Sequence, residues 1–194
     1  PDAYEAYLKG RYHLNGRTRG GLGKAVQCFQ QATATDPGYA AAYSGLADCL
    51  CILSLWGLLP PEAGCGKARG LALQALALEP DLAEAHTSLA WSTFNYDYDF
   101  VAAEKGYKRS IQLNQNYDTV RRWYGISLSM IGRYEEGRIE LENAIRLDPC
   151  SSGHHWALGF VHWRARKYEQ AIAEHEKSLE LEPNFGQAHW GMGI

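Results

Sequence analysis

The dipeptide Asp36-Pro37 returns, edited, down the whole chain: Glu79-Pro80, Asn114-Gln115, Asp148-Pro149 and Glu182-Pro183. The second residues lie 43, 35, 34 and 34 positions apart. A period near 34 residues is that of stacked two-helix units, each of which buries its apolar face against the next. Such a chain presents a surface before it presents a reaction centre. The period therefore predicts an all-α, right-handed superhelical solenoid of antiparallel helix pairs, with about eleven helices and no β-sheet.

The unit repeats in detail when numbered from the third residue after the proline position. The second unit reads Tyr43, Leu46, Ala47 and Leu50, then Ala68, Ala72, Ala75 and Pro80. The fourth reads Arg121, Tyr124, Gly125 and Leu128, then Gly137, Leu141, Ala144 and Pro149. The fifth reads His155, Leu158, Gly159 and His162, then Ala171, His175, Ser178 and Pro183. Small residues at positions 8, 20 and 27 let two helices approach, and larger ones at 7, 11 and 24 fill the space at helical spacing. Proline cannot continue the second helix, so it forces the turn.

These residues resemble the tetratricopeptide repeat family in repeat length, small-residue positions and terminal proline. The resemblance implies one array over residues 1–194. Its repeats would be 3–39, 40–82 with an insertion at 54–62, 83–117, 118–151 and 152–185, followed by the start of a sixth at 186–194. Gln115 departs from the pattern in place of proline, as do His86, Arg121 and His155 in place of an aromatic residue. The run from Ala3 to Asn15 looks like the opening of C-terminal arrays in multidomain bacterial regulators, and Leu58 to Ala63 and Asn95 to Asp99 are similar. In that group the array follows a winged-helix, nucleotide cyclase or protein kinase domain. The resemblance thus implies a scaffold or sensor portion of a larger cytoplasmic regulator.

First helices line the concave surface of such an array, so the faces not used in packing turn toward the groove. That face holds Tyr7, Arg11, Asp48, Trp91, Asn95, Arg122, Trp123, Trp156, Phe160, Trp163 and Trp190, with Arg164 beside them. Five of the six tryptophans fall there. Aromatic and arginine side chains are the usual anchors of protein recognition. The groove lacks the lysine and asparagine pattern of arrays that clamp chaperone C-termini. The expected partner is a protein or peptide with hydrophobic anchors. The alternative is a small-ligand or metal sensor using the aromatic cleft or His155, His162 and His175.

Other chemistry fares worse. Gly16–Lys24 and Gly64–Lys67 are glycine-rich but do not match a phosphate loop, because Lys24 and Lys67 are each followed by alanine. The histidines fall on packing positions without a cysteine or carboxylate to complete a zinc set, so no metal, cofactor or enzymatic activity is expected. Net charge of −3 argues against nucleic acid as a partner. The mostly apolar run from Cys49 to Leu59 is too short for a bilayer, which needs about 20 residues. The five cysteines lack metal or disulfide spacing and read as reduced thiols. The insertion with Trp56 and Leu58 reads as a longer helix packed on its neighbour, or as a docking knob. The sixth repeat stops before its second helix, so this end is expected to self-associate or fray, and the parent chain to continue in helix.

Overall fold

The computed structural model describes residues 2–193. Among them lie eleven α-helices and no strand. The chain divides into two compact units, one ending at Leu113 and one beginning at Asn114. The first holds α1 (Asp2–Asn15), α2 (Arg19–Thr35), α3 (Ala40–Leu55), α4 (Lys67–Leu78), α5 (Ala83–Ser92) and α6 (Phe100–Leu113). The second holds α7 (Asp118–Met130), α8 (Tyr134–Leu147), α9 (Ser152–Arg164), α10 (Tyr168–Leu181) and α11 (Gly186–Met192). In each unit consecutive helices pack as antiparallel pairs, and alternate helices also touch: α1 with α3, α3 with α5, α7 with α9, α9 with α11.

The X-Pro dipeptides stop the second helices in one geometry. Asp36, Glu79, Asp148 and Glu182 have φ between −132° and −142° and ψ between 90° and 96°. A following proline excludes the helical region for these residues. Each backbone N–H still closes the helix, on the carbonyls of Ala32, Ala75, Ala144 and Ser178 at 2.8–3.0 Å. Where Gln115 replaces proline, the Asn114 side chain accepts from the Asn116 N–H at 3.0 Å, the same turn that Asp36 and Asp148 make with the Gly38 and Cys150 N–H groups. The polar residues in place of the usual aromatic are not weak points. His86 and His189 donate to the carbonyls of Pro80 and Pro183 at 2.9 and 2.8 Å. Arg121 pairs with Glu140 at 2.9 Å, and His155 with Glu174 at 2.7 Å.

Core packing turns on one slot, formed where a second helix fits between two first helices. Phe29 of α2 fills it in the first unit, against Gly10 of α1 and Gly45 of α3. A Cβ at either glycine would lie within 2.7 Å of its ring. In the second unit the same slot holds His175 of α10, between Gly159 of α9 and Gly191 of α11, with 2.6 and 2.5 Å to a Cβ there. Glycine at these positions is set by close approach, not by turn geometry.

The insertion departs from expectation. α3 ends at Leu55, the chain turns at Gly57 with φ of 70°, and a π-helical turn, Glu62–Gly66, leads into α4. The extra residues are thus divided between a turn and a prefix to the second helix. This brings Cys51 and Cys65 together as a disulfide, Cα–Cα 4.3 Å. The reading of all cysteines as unpaired is corrected: spacing alone cannot show that a folded insertion carries position 65 back onto α3. A second π-helical turn, Thr93–Asp97, extends α5. No described helix is long and apolar enough to cross a membrane.

Candidate functional site

The structure separates the predicted groove residues into two groups. Trp91 and Trp123 are 7% and 2% exposed, and Asp48 is 5% exposed. These three are packing residues, and their placement on an open groove is corrected. α5 and α7 bury most of their circumference, so the stripe that periodicity leaves for solvent is covered by neighbouring helices. Tyr7 is half-buried, with ring centroids 5.9 Å from Phe29 and 5.1 Å from Tyr39. Arg11 donates weakly to the Tyr7 hydroxyl at 3.4 Å. Asn95 donates to the Trp91 carbonyl at 2.8 Å and closes the π-helical turn. Arg122 lies over Gly153 at the start of α9.

Asp48 belongs to a buried polar cluster in the first unit. Its carboxyl accepts from Ser88 Oγ at 2.6 Å, and Ser88 Oγ lies 2.8 Å from Ser44 Oγ. Burial pushes the Asp48 carboxyl up to about 7, against the opposing effects of the Ser88 bond and of Arg11 and Arg17. The group is a neutral or half-ionised core acid at neutral pH.

The remaining predicted residues converge in the second unit. Trp156, Phe160 and Trp163 follow one another along α9, with ring centroids 5.8 and 5.9 Å apart and interplanar angles of 25° and 30°. Spacings of four and three residues put them on one helical face. α11 brings Trp190 and Gly191 to the other side, and His175 of α10 forms the floor. Together these residues line a cavity of about 100 Å3. Trp163 is 49% exposed and Trp190 68%. The indole N–H of Trp156 and Nδ1 of His175 are buried without a protein partner. Burial pulls the His175 pKa below its usual value, so its ring is neutral at pH 7. None of the described lining residues carries a carboxylate. At its rim Arg164 donates from Nε to the Ser129 carbonyl at 3.1 Å and from Nη2 to that of Met130 at 3.4 Å. Its Cζ lies 5.8 Å from the Phe160 centroid. Sequence reasoning found the tryptophans of this site but missed His175 as its floor, because position 24 reads only as a packing position.

The histidines do not gather as a set. His155 is paired with Glu174, His162 is buried in α9, and His175 floors the cleft. Among the described residues a different group brings three metal-capable side chains within 4.8 Å: Asp118, Asp148 and His154. Two of its side chains make internal hydrogen bonds, while His154 Nδ1 is buried without a partner among the described residues. His154 donates from Nε2 to Asp118 at 2.7 Å, and Asp148 accepts from the Cys150 N–H at 3.1 Å. The positive charge of Arg122 acts on both Asp118 and His154. The buried His154 and the partly buried Asp118 thus join α9 to α7, with Asp148 exposed beside them. A larger hollow of about 430 Å3, lined by residues from Gly132 to Arg138 and from Val161 to Lys167, is rimmed by arginine–glutamate pairs such as Arg133–Glu136 at 2.6 Å.

Comparison with known proteins agrees with the fold. Residues 155–185 match the tetratricopeptide repeat family model. The transcriptional regulator HilA of Salmonella typhimurium is 26% identical over 149 residues, which cover 76% of this chain and 27% of HilA. The chain thus spans about a quarter of that relative's length. Among solved structures, TTC0263, a tetratricopeptide repeat protein of Thermus thermophilus, superposes with a TM-score of 0.75 at 16% identity, covering 99% of this chain and 100% of that one. YrrB, described as a tetratricopeptide repeat protein with an unusual peptide-binding site, gives 0.57 at 17% identity over 90% and 85% of the two chains.

Proposed function

We propose that this tetratricopeptide-repeat array is a protein-recognition module whose docking site is the aromatic cleft of α9, α10 and α11. The observation that carries the reading is the convergence of Trp156, Phe160, Trp163 and Trp190 on one cavity, with two of the indoles open to solvent. Large, rigid side chains around a concave pocket supply interface hot spots at low cost in rotamer entropy. The partner is a peptide or helix that inserts an apolar side chain. The module binds and positions and performs no chemistry. Likeness to part of HilA supports a place in a larger regulator of signalling or transcription, and the net charge of −3 favours neither nucleic acid nor an anionic membrane as the partner of this array.

Selection of displayed random peptides on the purified protein tests the reading. Sequences with a bulky apolar residue should be enriched on the native protein and lost on the Trp163→Ala/Trp190→Ala variant, with helical content unchanged. Equal enrichment on both proteins would reject the cleft as the docking site. The small cavity and its two unpartnered buried nitrogens favour one second reading, a planar small ligand. Equilibrium dialysis against indole and similar heteroaromatics would detect it.

A further inference from the structure

We infer that the cleft takes an acidic segment: an apolar side chain seated among the indoles, with a carboxylate one or two residues away held by Arg164. This rests on the docking reading of the same cleft and names the chemistry of its occupant.

Arg164 has its Nε and Nη2 committed to the carbonyls of Ser129 and Met130, and its plane lies near the Phe160 ring. The guanidinium is thereby fixed at the rim. Among the described residues Nη1, with two N–H groups, has no hydrogen-bond partner. A fixed guanidinium with unused donors next to an apolar cavity is preorganised for a carboxylate. Charge is unevenly distributed between the first and second helices of this unit. α7, α9 and α11, which carry the cleft and its flank, hold three arginines against one aspartate. α8 and α10 hold eight glutamates against three basic residues. Arg121 is paired with Glu140 and Arg122 acts on Asp118, so the charge left beside the aromatic face is that of Arg164. Complementary charge steers a partner and fixes its register. The floor is neutral: with His175 uncharged and no carboxylate among the described lining residues, the cavity itself suits an apolar group. A nucleic acid strand is disfavoured because it needs a track of cations along its backbone, and no lysine or arginine is among the described residues lining the cleft, with Arg164 at its rim.

The test extends peptide selection to charge. Enriched sequences should place Asp or Glu within two residues of the apolar anchor. A synthetic peptide of that kind should quench tryptophan fluorescence on titration. Replacing its acid by the amide, or making Arg164→Gln, should each weaken binding about tenfold at low salt. The two changes together should cost no more than either alone, as for a directly coupled pair. Apolar peptides enriched without acid preference, and indifferent to Arg164→Gln, would overturn the inference while leaving the docking site intact. Loss of all enrichment would remove both. Saturable binding of a short oligothymidylate, or peptide-independent dimerisation abolished by Trp190→Ala, would overturn the inference by assigning the cleft to a different occupant.

Discussion

At the scale of single residues, the six tryptophans are the clearest lesson, because periodicity treats them alike and burial does not. Trp123 is enclosed, so Trp123→Ala should leave a cavity and cost about 3–5 kcal/mol. Trp163→Ala removes a half-exposed ring and should cost under about 1 kcal/mol. Urea denaturation followed by circular dichroism separates the two, and equal losses would contradict the burial described above. His175 offers a second test. It fills the slot that Phe29 fills in the first unit, yet leaves Nδ1 without a partner. Replacing an unsatisfied buried polar group by an apolar one of similar volume is neutral or stabilising. His175→Leu should therefore hold stability or raise it by up to about 1 kcal/mol. A loss greater than that would show that the ring nitrogen is satisfied by water.

At the scale of elements, the turns inside the helix pairs share one device. Each carries a single residue with positive φ: Arg17 at 41°, Gly57 at 70°, Tyr98 at 57°, Gly132 at 84° and Arg166 at 60°. The turn requires the left-handed conformation, and only two of the five positions hold glycine. Side-chain residues there carry a strain of about 1–2 kcal/mol. Arg166→Gly matches the turn of the preceding repeat and should stabilise by about 0.5–1 kcal/mol after the added flexibility of the unfolded chain is subtracted. Thermal melts at matched pH would show a higher midpoint, and a lower one would mean that Arg166 makes contacts worth more than its strain. The insertion is a second such element. Its disulfide predicts that three of the five cysteines react with a thiol reagent in denaturant without reductant, and all five after reduction.

For the whole molecule, the ionisable groups that burial disturbs act in opposite directions with pH. His154, His162 and His175 have folded pKa values lowered by burial, so the unfolded chain binds protons first. Their contribution is complete above the unfolded value of about 6.5 and is lost as pH falls from there through the lower folded values. Asp48 is raised to about 7, so its contribution is complete below the unfolded value of about 3.9 and is lost as pH rises through the folded one. On acidification from pH 7.5 to 5.5 the three histidines lower the melting midpoint and Asp48 opposes them. Asp48→Asn removes the opposing group, so its midpoint should fall more steeply over that range. A flatter profile for Asp48→Asn would reverse the assignment of Asp48.

The repeat, the helix count and the helix ends were legible in the chain itself. They depend on local chemistry: the extended residue before proline, the 3.6-residue spacing of apolar positions, and small residues where helices meet. The aromatic character of the first helices was legible too. Which tryptophan faces solvent was not, because α7 and α9 each bury eight of their thirteen residues, and which face is covered depends on neighbouring helices rather than on position in a repeat. The sequence also could not show that His175 lies under Trp156 and Trp190, that Cys65 returns to Cys51, or that Arg164 spends Nε and Nη2 on α7. Those facts arise where separate helices meet, and the meeting is fixed by packing at glycines such as Gly159 and Gly191.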